Sequence, residues 1–205
     1  MRRKNLIDRR KQSYVIAALV AVSLILYFFI SIYLLPSIYV RSPKPRPAPI
    51  ISKASLSSPV IHLGDTFYFD LQAKNLGDDA DMQIVSIAFP NLTYTDKEVY
   101  IRQSDLTQKP LFIRIGDKVG SDYAGLENVV YAKYPSIEAF SRPWHANTSH
   151  SMKMEIKPPS VGKFIMYLKV ISLPHTDNVA HYPQTGLKDF QNEYVKVYSV
   201  EVLQN

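Results

Sequence analysis

Residues 144–154 read WHANTSHSMKM, and residues 173–183 read LPHTDNVAHYP. Imidazole and thioether ligands suit copper, so His145, His150, His175 and His181 form one candidate metal set, with Met152 and Met154 close by. Three features oppose it. Met152 and Met154 share the parity of Ile156, which assigns them to the core face of a strand. The chain has no cysteine to act as thiolate ligand, and it has no His-x-His pair. Separate, solvated histidines are the simpler reading, and copper is the alternative. Asp78, Asp79 and Asp81 have some of the spacing of a calcium loop, but the later glycine and glutamate are missing, so they read as a solvated turn.

For catalysis the residue types are lacking. There is no Gly-x-Ser-x-Gly elbow, no His-Glu-x-x-His, no phosphate-cradling glycine loop and no cysteine nucleophile. No enzyme activity and no cofactor are expected. The remaining chemistry is that of contact. Between Gly116 and His150 the chain carries Tyr123, Tyr131, Tyr134, Phe140 and Trp144 in a long excursion, opened by Ser121 or Asp122 as the cap of a short helix that Pro135 ends. Clustered tyrosine and tryptophan on a loop suit partner binding, which makes Tyr131, Tyr134, Phe140 and Trp144 a candidate partner surface. The same aromatics would equally serve to pack the excursion onto the domain beneath it.

The elements that hold these side chains alternate with period two. Phe67, Phe69, Leu71 and Ala73 interleave with polar residues, as do Met152, Met154 and Ile156, and Phe164, Met166, Leu168 and Val170 share one parity. Val99 and Ile101, and Leu111, Ile113 and Ile115, repeat the pattern. In YVKVYSVEVL the apolar parity changes between Val197 and Val200, which predicts a bulge or a strand covered on both faces. Asn75-Leu76-Gly77-Asp78-Asp79 is a turn, so residues 59–89 read as a half-buried hairpin. About seven short strands with one apolar face predict an all-β, two-sheet sandwich.

Ahead of these strands, Tyr14–Val40 contains no charged residue. Its 27 positions exceed the ~20 that span a bilayer as a helix. A cleaved signal peptide would have an apolar run about half as long and a small-x-small exit, which LLPSIYVRSPKP lacks, so an uncleaved transmembrane signal anchor is expected. Six basic residues precede the span, and Arg41, Lys44 and Arg46 follow it, a bias that places the N-terminus in the cytoplasm and the rest outside. The expected organisation is a basic cytoplasmic tail over 1–13, a membrane span over 14–40, a Pro-rich stalk over 41–52, and an extracytoplasmic sandwich over 53–205 with an insertion around 116–150. Although the whole chain carries a net charge of +6, from Lys53 onward 15 Lys and Arg stand against 17 Asp and Glu. The basic excess lies in the tail, so the folded part is not expected to bind nucleic acid.

Leu63-Gly64-Asp65-Thr66 before one strand, Lys74-Asn75-Leu76-Gly77-Asp78 after it, and Pro159-Ser160-Val161-Gly162-Lys163-Phe164 opening a late strand together resemble the immunoglobulin-like CARDB group, the cell-adhesion-related domains of prokaryotic surface proteins. The resemblance covers Pro59–Phe89 and Pro158–Leu173, and the chain departs from it between Gln103 and His150. It implies a fold and a surface location, not a catalytic site. The expected function is a membrane-anchored binding or structural module of a prokaryotic cell envelope, archaeal ones included, in contact with a surface layer, a filament base or a membrane complex. The alternative is an extracytoplasmic, cupredoxin-like copper-binding or oxidase-accessory domain.

Overall fold

The computed structural model describes residues 2–34, 46–119, 130–174, 182–183, 185–189 and 193–205. The chain divides into two compact units, Met1–Lys44 and Pro45–Asn205.

The first unit is a helix, α1 (Arg2–Phe29), continued by a π-helical turn over Ile30–Leu34. Straight-chain and apolar residues without glycine or proline favour it throughout this stretch. Gln12–Tyr33 is long and apolar enough to cross a membrane. Its large apolar side chains, from Tyr14 to Tyr33, are exposed around the whole circumference, so the helix has no core-facing stripe. Residues 35–40, where the span was expected to end, lie outside the described residues.

The second unit is built from strands β1 (Pro49–Leu56), β2 (Val60–His62), β3 (Phe67–Asn75), β4 (Met82–Ala88), β5 (Val99–Ser104), β6 (Leu111–Ile113), β7 (Lys118–Val119), β8 (Val130–Tyr131), β9 (Ser136–Ser141), β10 (Ser149–Ile156), β11 (Gly162–Leu173), β12 (Leu187–Lys188) and β13 (Tyr194–Leu203). One sheet has the order β1-β3-β10-β5. The other runs β12-β13-β11-β4-β9-β6, with β2 parallel to β13, and β7 pairs with β8 apart from both. The fold is therefore an all-β, immunoglobulin-like sandwich, as the alternating pattern predicts. Phe67, Phe69, Leu71 and Ala73 face Phe164, Met166, Leu168 and Val170 in one buried core, to which Met152, Met154 and Ile156 also belong. Edge-to-face packing of Phe67 on Phe164, with ring centroids 5.9 Å apart, links the two sheets.

Four features depart from the sequence reading. Residues 59–89 do not form a hairpin, because β3 and β4 belong to different sheets and the Asn75–Asp79 turn is a corner between them. Both strands have an apolar face, and both faces are buried when the strands oppose each other across the core. Second, the segment read as an insertion supplies β9, which pairs with β4 from Gln83↔Ser141 to Ala88↔Ser136. The short helix expected through Tyr134 is absent at its described end, where Val130 and Tyr131 are extended, and its expected cap lies outside the described residues. Third, Leu111 and Phe112 stay exposed, because β6 is an edge strand paired on one side only. Fourth, the chain is already held against the sandwich within the expected stalk, and Pro49 opens β1. The parity change in β13 has no bulge behind it. The register runs unbroken from Gly162↔Val202 to Leu168↔Lys196, and the buried face itself changes side, to Val195 at one end and to Val200 and Val202 at the other.

Candidate functional site

The corner after β3 carries the acidic cluster. Asn75 is fully buried; its Oδ1 accepts from the N–H groups of Ala48 (2.9 Å) and Gly77 (3.1 Å), and its Nδ2 donates to the Asp78 carbonyl at 2.6 Å. Asp78 accepts through its carboxylate from the Arg46 N–H at 2.8 Å. Gly77 lies so close to the incoming chain that a Cβ there would come within 2.3 Å of the Arg46 carbonyl oxygen. Asp79 reaches the other way, accepting from the Ala146 N–H at 2.7 Å and pairing with His145 Nδ1 at 3.0 Å. These two contacts, the histidine's being the larger, hold the Asp79 carboxyl below its ordinary range. The acidic turn is thus a clamp that ties the incoming chain and the Trp144–Thr148 loop to the sandwich.

That clamp separates the histidines. His145 pairs with Asp79, whereas His150 lies 3.5 Å from Asp105 and packs its ring against Trp144. Each has its own carboxylate on a different element. Among the described residues no group of three or more His, Asp or Glu side chains is placed to hold a metal ion. His175 and His181 lie outside the described residues. Met152 and Met154 are core residues, 2% and 0% exposed, and are not placed as ligands.

The four candidate contact aromatics part company. A backbone bridge to Ala80 turns Trp144 into the main core, where it is 0% exposed. Phe140 joins Met82, Ile84, Ile171 and Leu173 in a second buried cluster on the outer face of the larger sheet. Neither presents a surface to a partner, because the aliphatic side chains of the sandwich have already removed both from water. Tyr131, 61% exposed, and the half-buried Tyr134 remain at the surface.

Tyr134 leads to a site the sequence reading missed. Across the outer face of the larger sheet the register aligns Glu138 of β9, Ser86 of β4 and Lys169 of β11 in one row. Lys169 Nζ lies 2.9 Å from Asp189 Oδ2, with both side chains under a tenth exposed. Asp189 Oδ1 also accepts from the Glu193 N–H at 3.1 Å, which closes the loop between β12 and β13. Beside this row Tyr134 packs against Tyr167 at 5.9 Å, and Lys133 Nζ stands 5.4 Å from the Tyr134 ring centroid. A groove of about 320 Å³ opens there, lined by Tyr134, Ile165, Tyr167, Leu187 and Val197. The available signal was Lys169 itself, a charge within MYLKVISL, where both parities are otherwise almost wholly apolar.

Burial, the largest cause, pushes the Glu138 carboxyl above the ordinary range, opposed by the charge of Lys169 and a hydrogen bond with Ser86. A carboxyl raised in the folded state is tolerated when protonated. Its contribution to stability is then lost as pH rises above the unfolded value of 4.5 and through the folded one. Glu138→Gln is therefore expected to raise the midpoint of thermal unfolding at neutral pH, with the gain shrinking as pH falls below 4.5. Melting curves recorded across that range test it, and an equal gain at every pH would contradict it.

No family model matches the chain, and none of the curated proteins matches it. Among solved structures it is similar to the CARDB domain of a Pyrococcus furiosus protein, crystallised in complex with di-metal ions, at 12% identity and a TM-score of 0.37 over 78% of this chain and 90% of that one. A cohesin module of a Clostridium perfringens family 33 glycoside hydrolase is similar at 5% identity and a TM-score of 0.38, over 78% and 99% of the two chains. A β-glucosidase from Erythrobacter marinus is similar at 9% identity and a TM-score of 0.36, over 77% of this chain and 16% of the enzyme. These are weak likenesses of fold.

Proposed function

We propose that this chain is a single-pass, membrane-anchored binding module whose sandwich lies outside the cell membrane of a prokaryotic envelope and contacts another envelope or membrane-complex protein. The observation that carries the reading is the helix over Gln12–Tyr33, whose apolar side chains are exposed all round. Such a surface is stable in a bilayer and costly in water. The six basic residues ahead of it favour a cytoplasmic N-terminus. A β-sandwich without catalytic motifs then acts through its surface, with Tyr131 and Tyr134 as the contact aromatics.

Two measurements test this. Protease added to intact protoplasts is expected to remove a C-terminal tag, and protection of the tag would overturn the orientation. Chemical cross-linking in intact cells, followed by purification from gently solubilised membranes, is expected to yield a discrete protein adduct. That adduct should weaken in Tyr131→Ala, Tyr134→Ala chains and persist in His145→Ala, His150→Ala chains. Loss with the histidine pair alone would move the function to those residues.

A further inference from the structure

The groove on the outer face of the larger sheet spans two neighbouring strands. Its floor is Ile165 and Tyr167 of β11 and Val197 of β13, the last two directly paired across the ladder. Tyr134, packed at a tilt against Tyr167, forms one wall, and Leu187 of β12 forms the other. The second wall is held down by the buried Lys169–Asp189 pair two residues further on. Leu187 is 62% and Val197 47% exposed, so a concave apolar surface stands open on a folded domain.

Among the described lining residues two cations flank the apolar floor. Lys133 stands beside Tyr134 on the first wall, and Lys188, over the Tyr194 ring at 5.1 Å, stands on the second. Asp189, the one carboxylate among the described lining residues, is turned to Lys169. We infer that this groove binds a short extended peptide segment of a partner protein in which two or three apolar side chains are flanked by Asp or Glu. The inference rests on the binding-module reading above and adds the place and the chemistry of the contact.

Other occupants fit less well. A bilayer surface is met by protruding apolar side chains, whereas this surface is concave. A glycan would need hydrogen-bonding side chains and flat aromatic platforms, but the floor is largely aliphatic and the Tyr134 and Tyr167 rings are inclined by 56°. A strand's worth of apolar side chains matches both the aliphatic floor and a volume of about 320 Å³, and its carboxylates complement the lysines.

The test uses the full chain in lipid nanodiscs and fluorescein-labelled peptide pools. In one pool the three central positions vary over Leu, Ile, Val, Phe and Tyr between flanking Asp and Glu; in the second the flanks are Lys. Saturable anisotropy is expected with the acidic pool only, weakened about tenfold or more in Lys133→Glu and Lys188→Glu chains that retain the wild-type circular dichroism. Equal binding of the two pools, no binding of the acidic pool, or indifference to both charge reversals would overturn the proposal. So would binding of oligogalacturonate or anionic phospholipid vesicles in place of the acidic pool. A photo-crosslinking amino acid in living cells, placed at Val197, at Tyr131 or at Tyr68 on the other sheet, separates the two levels. Adducts from Tyr131 or Tyr68 but not Val197 would remove the groove and leave the module reading; adducts from none of the three positions would remove both. An adduct from Val197 supports the inference when the attached segment, read by mass spectrometry, is apolar with acidic flanks.

Discussion

Phe69→Ala is expected to cost about 3–5 kcal/mol and Leu168→Ala about 2–5 kcal/mol of folding stability. Both side chains are fully buried, on opposed inner faces of the two sheets. The Phe69 ring packs on Tyr198 at 5.3 Å, so its removal leaves a cavity lined by rigid strands that close in only partly. Tyr68, one residue away, points outward, is 39% exposed, and has Lys153 Nζ 5.1 Å from its ring centroid. Tyr68→Ala is expected to cost about 1 kcal/mol or less. Trp144, the single tryptophan and fully buried, reports unfolding by fluorescence in urea titrations of the detergent-solubilised chain. Equal costs at Phe69 and Tyr68 would contradict the strand register.

The second large effect belongs to the buried ion pair. Removing one partner, by Lys169→Ala or Asp189→Ala, is expected to cost about 3–5 kcal/mol, because the other charge stays buried without the counter-ion 2.9 Å from it. In the double variant Lys169→Met, Asp189→Leu, neither charge is buried, and most of that loss should be recovered. A double-mutant cycle built from Lys169→Ala, Asp189→Ala and the two combined, in the same urea titrations, measures the coupling. Additive losses would show that the two groups act independently. The single Lys169 variant carries a further signature. The charge of Lys169 pulls the Glu138 carboxyl down, so its loss should leave Glu138 harder to ionise and the variant's stability more sensitive to rising pH.

Strand parity and the apolar helix were legible in the sequence because both are local properties. A side chain's face along a strand follows from its position alone, so Phe67 to Ala73, Met152 to Ile156 and Phe164 to Val170 announce a core before any partner strand is known. The same holds for the uncharged stretch from Tyr14, whose length against a bilayer needs no tertiary context. Pairing is not local. The Asn75–Asp79 turn looks like a hairpin tip, yet burying two apolar faces against each other sends β3 and β4 to different sheets. β9 was hidden because SIEAFS has little intrinsic strand preference and becomes a strand by pairing with β4. The candidate surface was divided for a similar reason. Aromatic residues are compatible with a core or a contact surface, and only the Ala80–Trp144 bridge and the second apolar cluster turn Trp144 and Phe140 inward while Tyr131 remains in water. Lys169 stands out in the chain as a charge within an apolar run, but nothing near it in sequence names its partner. Its burial is decided by Asp189, twenty residues later, which closes over the outer face of the sheet because the two charges are stable there only together.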